Sequence, residues 1–149
     1  MDIQKLKKIN NKTKIWLISI LKILVKKGNY IKYLNILYKI LYNILIEYKD
    51  INKFFIIIDK NICLPINFIK KRIAGKNIMI PYKINENKKI NLSVRIIINS
   101  LKFRNEKKLS NRLLNELIDI YNNRGISIKK RIEICKDIKL NSPNLRFLK

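Results

Sequence analysis

Apolar positions recur along most of this chain with the 3.6-residue period of an amphipathic helix. The spacing predicts six helices, over residues 14–27, 30–48, 50–59, 90–103, 107–123 and from Ser127 to just before Pro143. Lys26, Lys27 and Gly28 are expected to end the first helix, with the glycine as its left-handed cap. The third helix contains the β-branched run Ile56 to Ile58, so a buried strand is the alternative there.

Residues 66–84 depart from this period, because apolar and polar positions alternate on both sides of Ala74-Gly75. Alternation around a glycine-containing turn predicts a β-hairpin. Pro81 lacks an amide donor, which favours a two-stranded ribbon with free edges over a wider sheet. Residues 1–13 are polar and basic and are expected to form a short N-terminal arm. We therefore predict one mainly α-helical domain over residues 1–149, with about six helices and a protruding two-stranded β-hairpin.

The net charge of the chain says more about its function than the predicted fold does. The chain carries 34 Lys and Arg against 10 Asp and Glu, a net charge of +24. A compact body with this charge repels itself unless a polyanion neutralises it. Nucleic acid is the commonest such polyanion, and an anionic membrane surface is the second candidate. The best apolar segment, Ile15 to Val25, is too short to span a bilayer and contains Lys22, so no membrane span is predicted.

The residues that carry most enzyme chemistry are scarce. Histidine is absent, and Cys63 and Cys135 stand far apart without metal-ligand spacing, so both thiols are expected to be reduced and partly buried. No phosphate-binding glycine loop or nucleophile motif is present. Glu116 and Asp119 share a helix face, but Arg112 one turn earlier favours a solvated ion pair. We predict no enzyme activity, no metal, no cofactor and no small-molecule substrate.

The cations, by contrast, form clusters at distinctive places. One cluster leads into the hairpin turn, and another occupies the first turn of the last helix. Cations at a helix N-terminus oppose the macrodipole, so the second cluster is best explained by an external anion. A solvated run of charge is the alternative for each cluster. The RNA-binding candidates are Lys26, Lys27, Lys70, Lys71, Arg72, Lys76, Arg95, Lys102, Arg104, Lys129, Lys130 and Arg131.

The order of these motifs resembles a known family, small-subunit ribosomal protein seven in its bacterial and organellar form. The matching residues are Lys71-Arg72-Ile73-Ala74-Gly75, Ile80-Pro81, Arg95, Arg112-Leu113, Asn115-Glu116-Leu117, Asn123-Arg124-Gly125, Lys129-Lys130-Arg131 and Asn141. Their spacing from about Pro65 onwards needs no gap, which covers more than half of the chain. The first half agrees with the family in the order of its elements but shares little residue identity.

Three departures from the family pattern affect contacts. The N-terminal arm is short and rich in lysine where the family has a long arginine-rich one. Ala74 replaces one of two glycines in the hairpin turn, which bears on the turn geometry. The histidine and the terminal aromatic residues of the family's last helix are replaced by Cys135 and residues 144–149.

The resemblance implies a place in the head of the small ribosomal subunit. It implies binding to the 3′ major domain of small-subunit rRNA, a part in head assembly, and neighbouring head proteins as partners. Exit-site tRNA and mRNA would lie nearby. By position, the leading RNA contacts become Lys71 and Arg72 of the hairpin, Arg95 and the cluster at residues 129–131, and Lys26 and Lys27 are weaker ones.

The compartment is predicted from the codons that the composition implies. Ile, Asn and Lys dominate the sequence, and their codons are A/T-rich, which points to an A+T-biased genome. We expect an organellar ribosome in the mitochondrial matrix, with the plastid stroma or the cytoplasm of an A+T-rich bacterium as alternatives.

Two other functions remain open from the residues alone. One is a membrane-surface protein whose basic amphipathic helices bind anionic lipid. The other is a non-specific nucleic-acid chaperone, which would bind DNA and RNA alike.

Overall fold

The computed structural model describes residues 9–25, 28–73 and 75–147, and these residues form six α-helices and one β-hairpin. The helices are α1 (Asn11–Leu24), α2 (Tyr30–Tyr48), α3 (Ile51–Ile62), α4 (Glu86–Ser100), α5 (Leu109–Tyr121) and α6 (Ile126–Leu140). Strands β1 (Ile66–Ile73) and β2 (Lys76–Lys83) lie between α3 and α4. Short 3-10 helices, Leu101–Phe103 and Ser142–Phe147, follow α4 and α6. The predicted fold class is confirmed.

The region around residue 55 is helical, so the alternative of a buried strand there is wrong. The carboxylate of Asp50 accepts hydrogen bonds from the amides of Asn52 and Lys53, at 2.9 and 3.3 Å. An Asp in this position satisfies amides that the first helical turn leaves without partners. The cap therefore selects a helix despite the β-branched run that follows it.

The first helix departs from its predicted boundaries at both ends. It begins at Asn11, inside the stretch expected to be an arm, while residues 1–8 of that arm lie outside the described residues. It ends at Leu24, where the amide of Val25 bonds to the carbonyl of Leu21. Gly28 therefore does not cap this helix; with φ at +75° it forms the left-handed turn that precedes α2. Lys26 and Lys27 also lie outside the described residues.

The core lies where the first five helices face one another. Each contributes a side chain that is at most 1% exposed, for example Trp16, Ile44, Phe54, Ile97 and Leu117. Helix α6 contributes one buried apolar residue, Ile128. Because burial of apolar surface is the main stabilising term in folding, α6 depends more than its neighbours on polar contacts.

The hairpin pairs in the register Ile66 to Lys83 through Ile73 to Lys76. Its base is packed against the helical body, since Ile80 and Pro81 on β2 are buried, whereas its outer half is exposed. Gly75 has a φ of +76°, which glycine adopts without steric cost, and reverses the chain at the tip.

Polar groups tie α1, α3 and α4 together around one buried carboxylate. Asp59 lies 2.8 Å from Lys12 Nζ, and the Cys63 thiol donates to it at 2.9 Å. The Ser93 hydroxyl lies 3.2 Å from the Cys63 sulfur. Cys63 is buried and Cys135 partly buried, and both are free thiols. Burial, followed by the neighbouring Asp59 carboxylate, raises the pKa of the Cys63 thiol to about 12.

The Lys12–Asp59 pair sets a pH range for this contribution to stability. Burial alone would raise the pKa of Asp59, but hydrogen bonds from Cys63 and Lys12 outweigh it and lower that pKa below 3.8. The hydrogen bond to Asp59 raises the pKa of Lys12 above 10.5, against a smaller opposing effect of burial. The stabilisation is therefore complete between these ordinary values. It is lost when pH falls through the lowered value or rises through the raised one.

We predict that the Cys63 thiol of the native protein resists alkylation at about pH 8, because thiolate is the reactive form. Iodoacetamide should label Cys135 first, and peptide mass spectrometry gives the rate at each site. In denaturant both should react at similar rates, which serves as the control. Equal alkylation rates of Cys63 and Cys135 in the native protein would contradict the burial of Cys63.

Candidate nucleic-acid interface

The outer half of the hairpin is a cationic ribbon. Lys70, Lys71 and Arg72 on β1 and Lys76 on β2 are all exposed. Because side chains alternate along a strand, Lys70 and Arg72 lie on one face and Lys71 on the other. Lys76 pairs with Ile73 and so shares the face of Lys71. The ribbon therefore presents cations on both faces.

Helix α4 brings further cations next to the base of this ribbon. Arg95 is exposed, and Lys88 and Asn91 share its helix face at spacings of seven and four residues. Together with Asn67 and Tyr82 of the hairpin, they line an open groove of about 220 Å³. Of these groove residues, only Arg95 was predicted. The polar periodicity of α4 would have indicated Lys88 and Asn91, but the contribution of the hairpin depends on packing.

The basic cluster at the start of α6 is anchored to the 3-10 helix after α4. Lys129 is exposed, while Lys130 and Arg131 are partly buried. The ammonium of Lys130 lies 4.5 Å from the centre of the Phe103 ring, a cation–π contact. The buried Nε of Arg131 has no hydrogen-bond acceptor among the described residues. Lys102, next to Phe103, is exposed.

A buried carboxylate, Glu116 of α5, lies at the N-terminus of α6. It accepts hydrogen bonds from both the amide and the hydroxyl of Ser127, the amide at 3.2 Å. The Ser127 hydroxyl lies 2.7 Å from that of Ser100, at the end of α4. The negative charge of Glu116 stabilises the N-terminus of α6, where the first-turn cations would otherwise oppose the helix dipole.

Arg104 neutralises this carboxylate. Its guanidinium lies 2.5 Å from Glu116 and 2.8 Å from Asp119, with Glu106 at 3.2 Å. Burial alone would lower the pKa of Arg104, but the Glu116 and Glu106 carboxylates outweigh it and raise that pKa.

Two expectations change as a result. The predicted solvated pair of Glu116 with Arg112 is wrong, because Glu116 is fully buried and the Nε of Arg112 donates to the carbonyl of Glu106. Arg104 was expected to contact RNA, yet its side chain is only 13% exposed and fully engaged within the protein. Its placement makes it a positioning residue for α5 and α6.

Other chemistry finds no support in the described part of the chain. No three His, Cys, Asp or Glu side chains there converge as metal ligands. No helix in that part is long and apolar enough to cross a membrane. The site that the geometry does support is the set of exposed cations on the hairpin, α4 and the start of α6, which we call the basic surface.

Comparison with known proteins identifies the family of the chain. The family model described as ribosomal protein S7p/S5e matches residues 3–141. The chain belongs to this family. The resemblance seen in the motifs is therefore confirmed, and membership of a structural ribosomal family agrees with the prediction that the chain is not an enzyme.

Curated relatives of the chain include bacterial proteins named small ribosomal subunit protein uS7. Identity is 38% over 71 residues with that of Mesoplasma florum, covering 48% of this chain and 46% of the relative. It is 34% over 82 residues with that of Exiguobacterium sibiricum, covering 54% and 53%. It is 39% over 71 residues with that of Mycoplasma capricolum, covering 48% and 46%. The chain thus spans about half the length of the curated relatives it matches.

The buried network leads to a test of how α6 is held. Replacing Glu116 by Gln removes the most buried of the three carboxylates around Arg104, and with it the anion that accepts hydrogen bonds from Ser127. Breaking a buried ion pair in this way should lower the free energy of unfolding by about 3 kcal/mol. Urea denaturation followed by circular dichroism measures this.

The matched control is Glu133→Gln on the exposed part of α6, where the change should cost less than about 0.5 kcal/mol. Equal stability of the two variants would show that the network does not hold α6.

Proposed function

We propose that the chain is a structural constituent of the small ribosomal subunit that binds the 3′ major domain of its rRNA through the basic surface. One observation carries this proposal. The hairpin and α4 enclose a common groove, α6 contacts both β1 and α4, and exposed cations lie on all three. A surface of this kind binds phosphates strongly and with marked salt dependence.

The shape of the molecule favours RNA over an unstructured polyanion. A ribbon with cations on both faces can contact two backbone segments at once, as at a junction of RNA helices. Double-stranded RNA is recognised mostly through its shape and backbone, which suits a rigid projection with basic flanks. Family membership supports the same choice of partner.

The resemblance to the family implies three further properties, which we include in the proposal. They are a role in assembling the head, a position near exit-site tRNA and the mRNA path, and contacts with neighbouring head proteins. For protein neighbours, α2 offers an exposed apolar stripe in which Ile31, Tyr42 and Ile46 are 74%, 53% and 61% exposed. Exposed apolar patches of this kind mark interaction surfaces more often than chance.

For the compartment we retain the organellar ribosome, in the mitochondrial matrix first. The plastid stroma and the cytoplasm of an A+T-rich bacterium are the alternatives. The bacterial relatives agree with the last of these alternatives, and they give no support to the mitochondrial matrix.

Crosslinking of the chain in an extract of its own cells, followed by sequencing of the attached RNA, tests the proposal. Crosslinks confined to one region of the 3′ major domain would support it. Crosslinks spread over many RNAs, with equal binding to DNA, would favour a nucleic-acid chaperone instead. Absent RNA crosslinks together with binding to anionic vesicles would favour a membrane-surface protein.

The contribution of the hairpin has its own test. Replacing Lys71 and Arg72 by Ala should weaken binding of a 3′ major domain transcript. The slope of log affinity against log salt should become shallower by up to about two, one for each lost phosphate contact. Fluorescence anisotropy at several salt concentrations gives this slope.

The control is the double variant Lys32→Ala and Lys39→Ala on α2, which removes the same charge from outside the basic surface. If both double variants change the slope equally, net charge alone accounts for the binding and the hairpin makes no specific contact.

A further inference from the structure

The groove between the hairpin and α4 has a lining unlike the rest of the basic surface. Tyr82 and Asn67 are cross-strand partners and so lie on the same face of the ribbon, towards α4. Lys88, Asn91 and Arg95 project from successive turns of α4 on the opposite side. One aromatic ring, two amides and two cations thus share a cleft.

The polar side chains of the groove have no partners within the described part of the protein. Those of Asn67, Tyr82, Lys88, Asn91 and Arg95 make no hydrogen bond or ion pair with any other described residue. Asn61, by contrast, donates to the carbonyls of Ile120 and Tyr121, at 2.8 and 3.2 Å. The groove therefore holds donors and acceptors that are available to a ligand.

An apolar surface completes the cleft. Ile84 is buried and Leu92 half-buried, and both line it beside Tyr82. The combination of a flat apolar surface and amide groups is what an unpaired nucleobase requires. Such bases stack on aromatic rings and pair their edges with polar side chains, whereas the bases of an A-form helix are hidden in its stack.

We propose that this groove binds a single unpaired nucleotide of the RNA, a refinement that rests on the function proposed above. The base stacks on Tyr82, and its edge pairs with the amides of Asn67 and Asn91, which can each donate and accept. Lys88 and Arg95 contact the flanking phosphates. The hairpin and α4 then recognise an unpaired position in the RNA, in addition to neutralising its backbone.

Salt dependence separates stacking from phosphate contact. Tyr82→Leu should weaken binding of the 3′ major domain transcript about tenfold with no change in the salt slope, because stacking releases no counterions. Tyr82→Phe, which keeps the ring, should bind within about twofold of wild type. Arg95→Gln should make the slope shallower by about one. Wild-type affinity for Tyr82→Leu would overturn the proposal.

Chemical probing of the bound transcript gives an independent readout. Wild-type protein should protect one unpaired base from dimethyl sulfate, which modifies unpaired A and C, or from a carbodiimide, which modifies unpaired U and G. Tyr82→Leu, and Asn91→Ala on the exposed face of α4 in case the first variant folds poorly, should leave that base reactive again. The hydroxyl-radical footprint on the backbone should persist in both variants.

The two readouts distinguish this inference from the function on which it rests. A backbone footprint with no protected unpaired base, or with a base that stays protected in both variants, would overturn the groove and leave the ribosomal function standing. Absence of any footprint for the wild-type protein would overturn both.

Discussion

The fold depends on which groups its few carboxylates pair with. Against 34 cations there are ten carboxylates, and at least five of these are engaged within the protein. They are Asp50, Asp59, Glu106, Glu116 and Asp119. They cap a helix or pair with Lys12 and Arg104, so at most five carboxylates remain for the other cations of the chain. The charge that we propose to bind RNA therefore remains because the few carboxylates are used to hold the helices together.

The clearest case is the carboxylate of Glu116. It joins the end of α4, the connection that carries Arg104, and the first turn of α6, which buries little apolar surface of its own. Because the network fixes the N-terminus of α6, it also fixes the direction in which Lys129 and its neighbours project. A buried anion thus positions exposed cations, and the basic surface depends on residues that are not part of it.

Local patterns of apolar and polar residues were sufficient to predict the architecture. The period of Leu34, Leu37, Leu41 and Leu45 predicts α2, and alternation around Gly75 predicts the hairpin, because both signals arise from residues close together in sequence. The β-branched run of α3 was ambiguous until the Asp50 cap was seen, since periodicity alone does not separate a short buried strand from a helix.

The pairing of Arg104 with Glu116 was missed for a different reason. The two residues lie 12 positions apart on separate elements, and the nearer Arg112 offered a plausible local partner. The groove was missed because its two walls, Tyr82 and Arg95, meet only when the hairpin packs against α4. Contacts of this kind depend on tertiary packing, and no spacing in the sequence indicates them.

Urea unfolding of the full chain in the presence of RNA tests most directly whether the basic surface binds one RNA specifically. The comparison is between a 3′ major domain transcript and an unrelated transcript of equal length, at about 0.15 M salt, where non-specific binding is weakened. A ligand that binds only the folded chain raises its stability in proportion to the logarithm of its concentration over Kd. The account predicts a clearly higher unfolding midpoint with the 3′ major domain than with the unrelated RNA. Equal midpoints would contradict it, because the surface would then be a general site for polyanions.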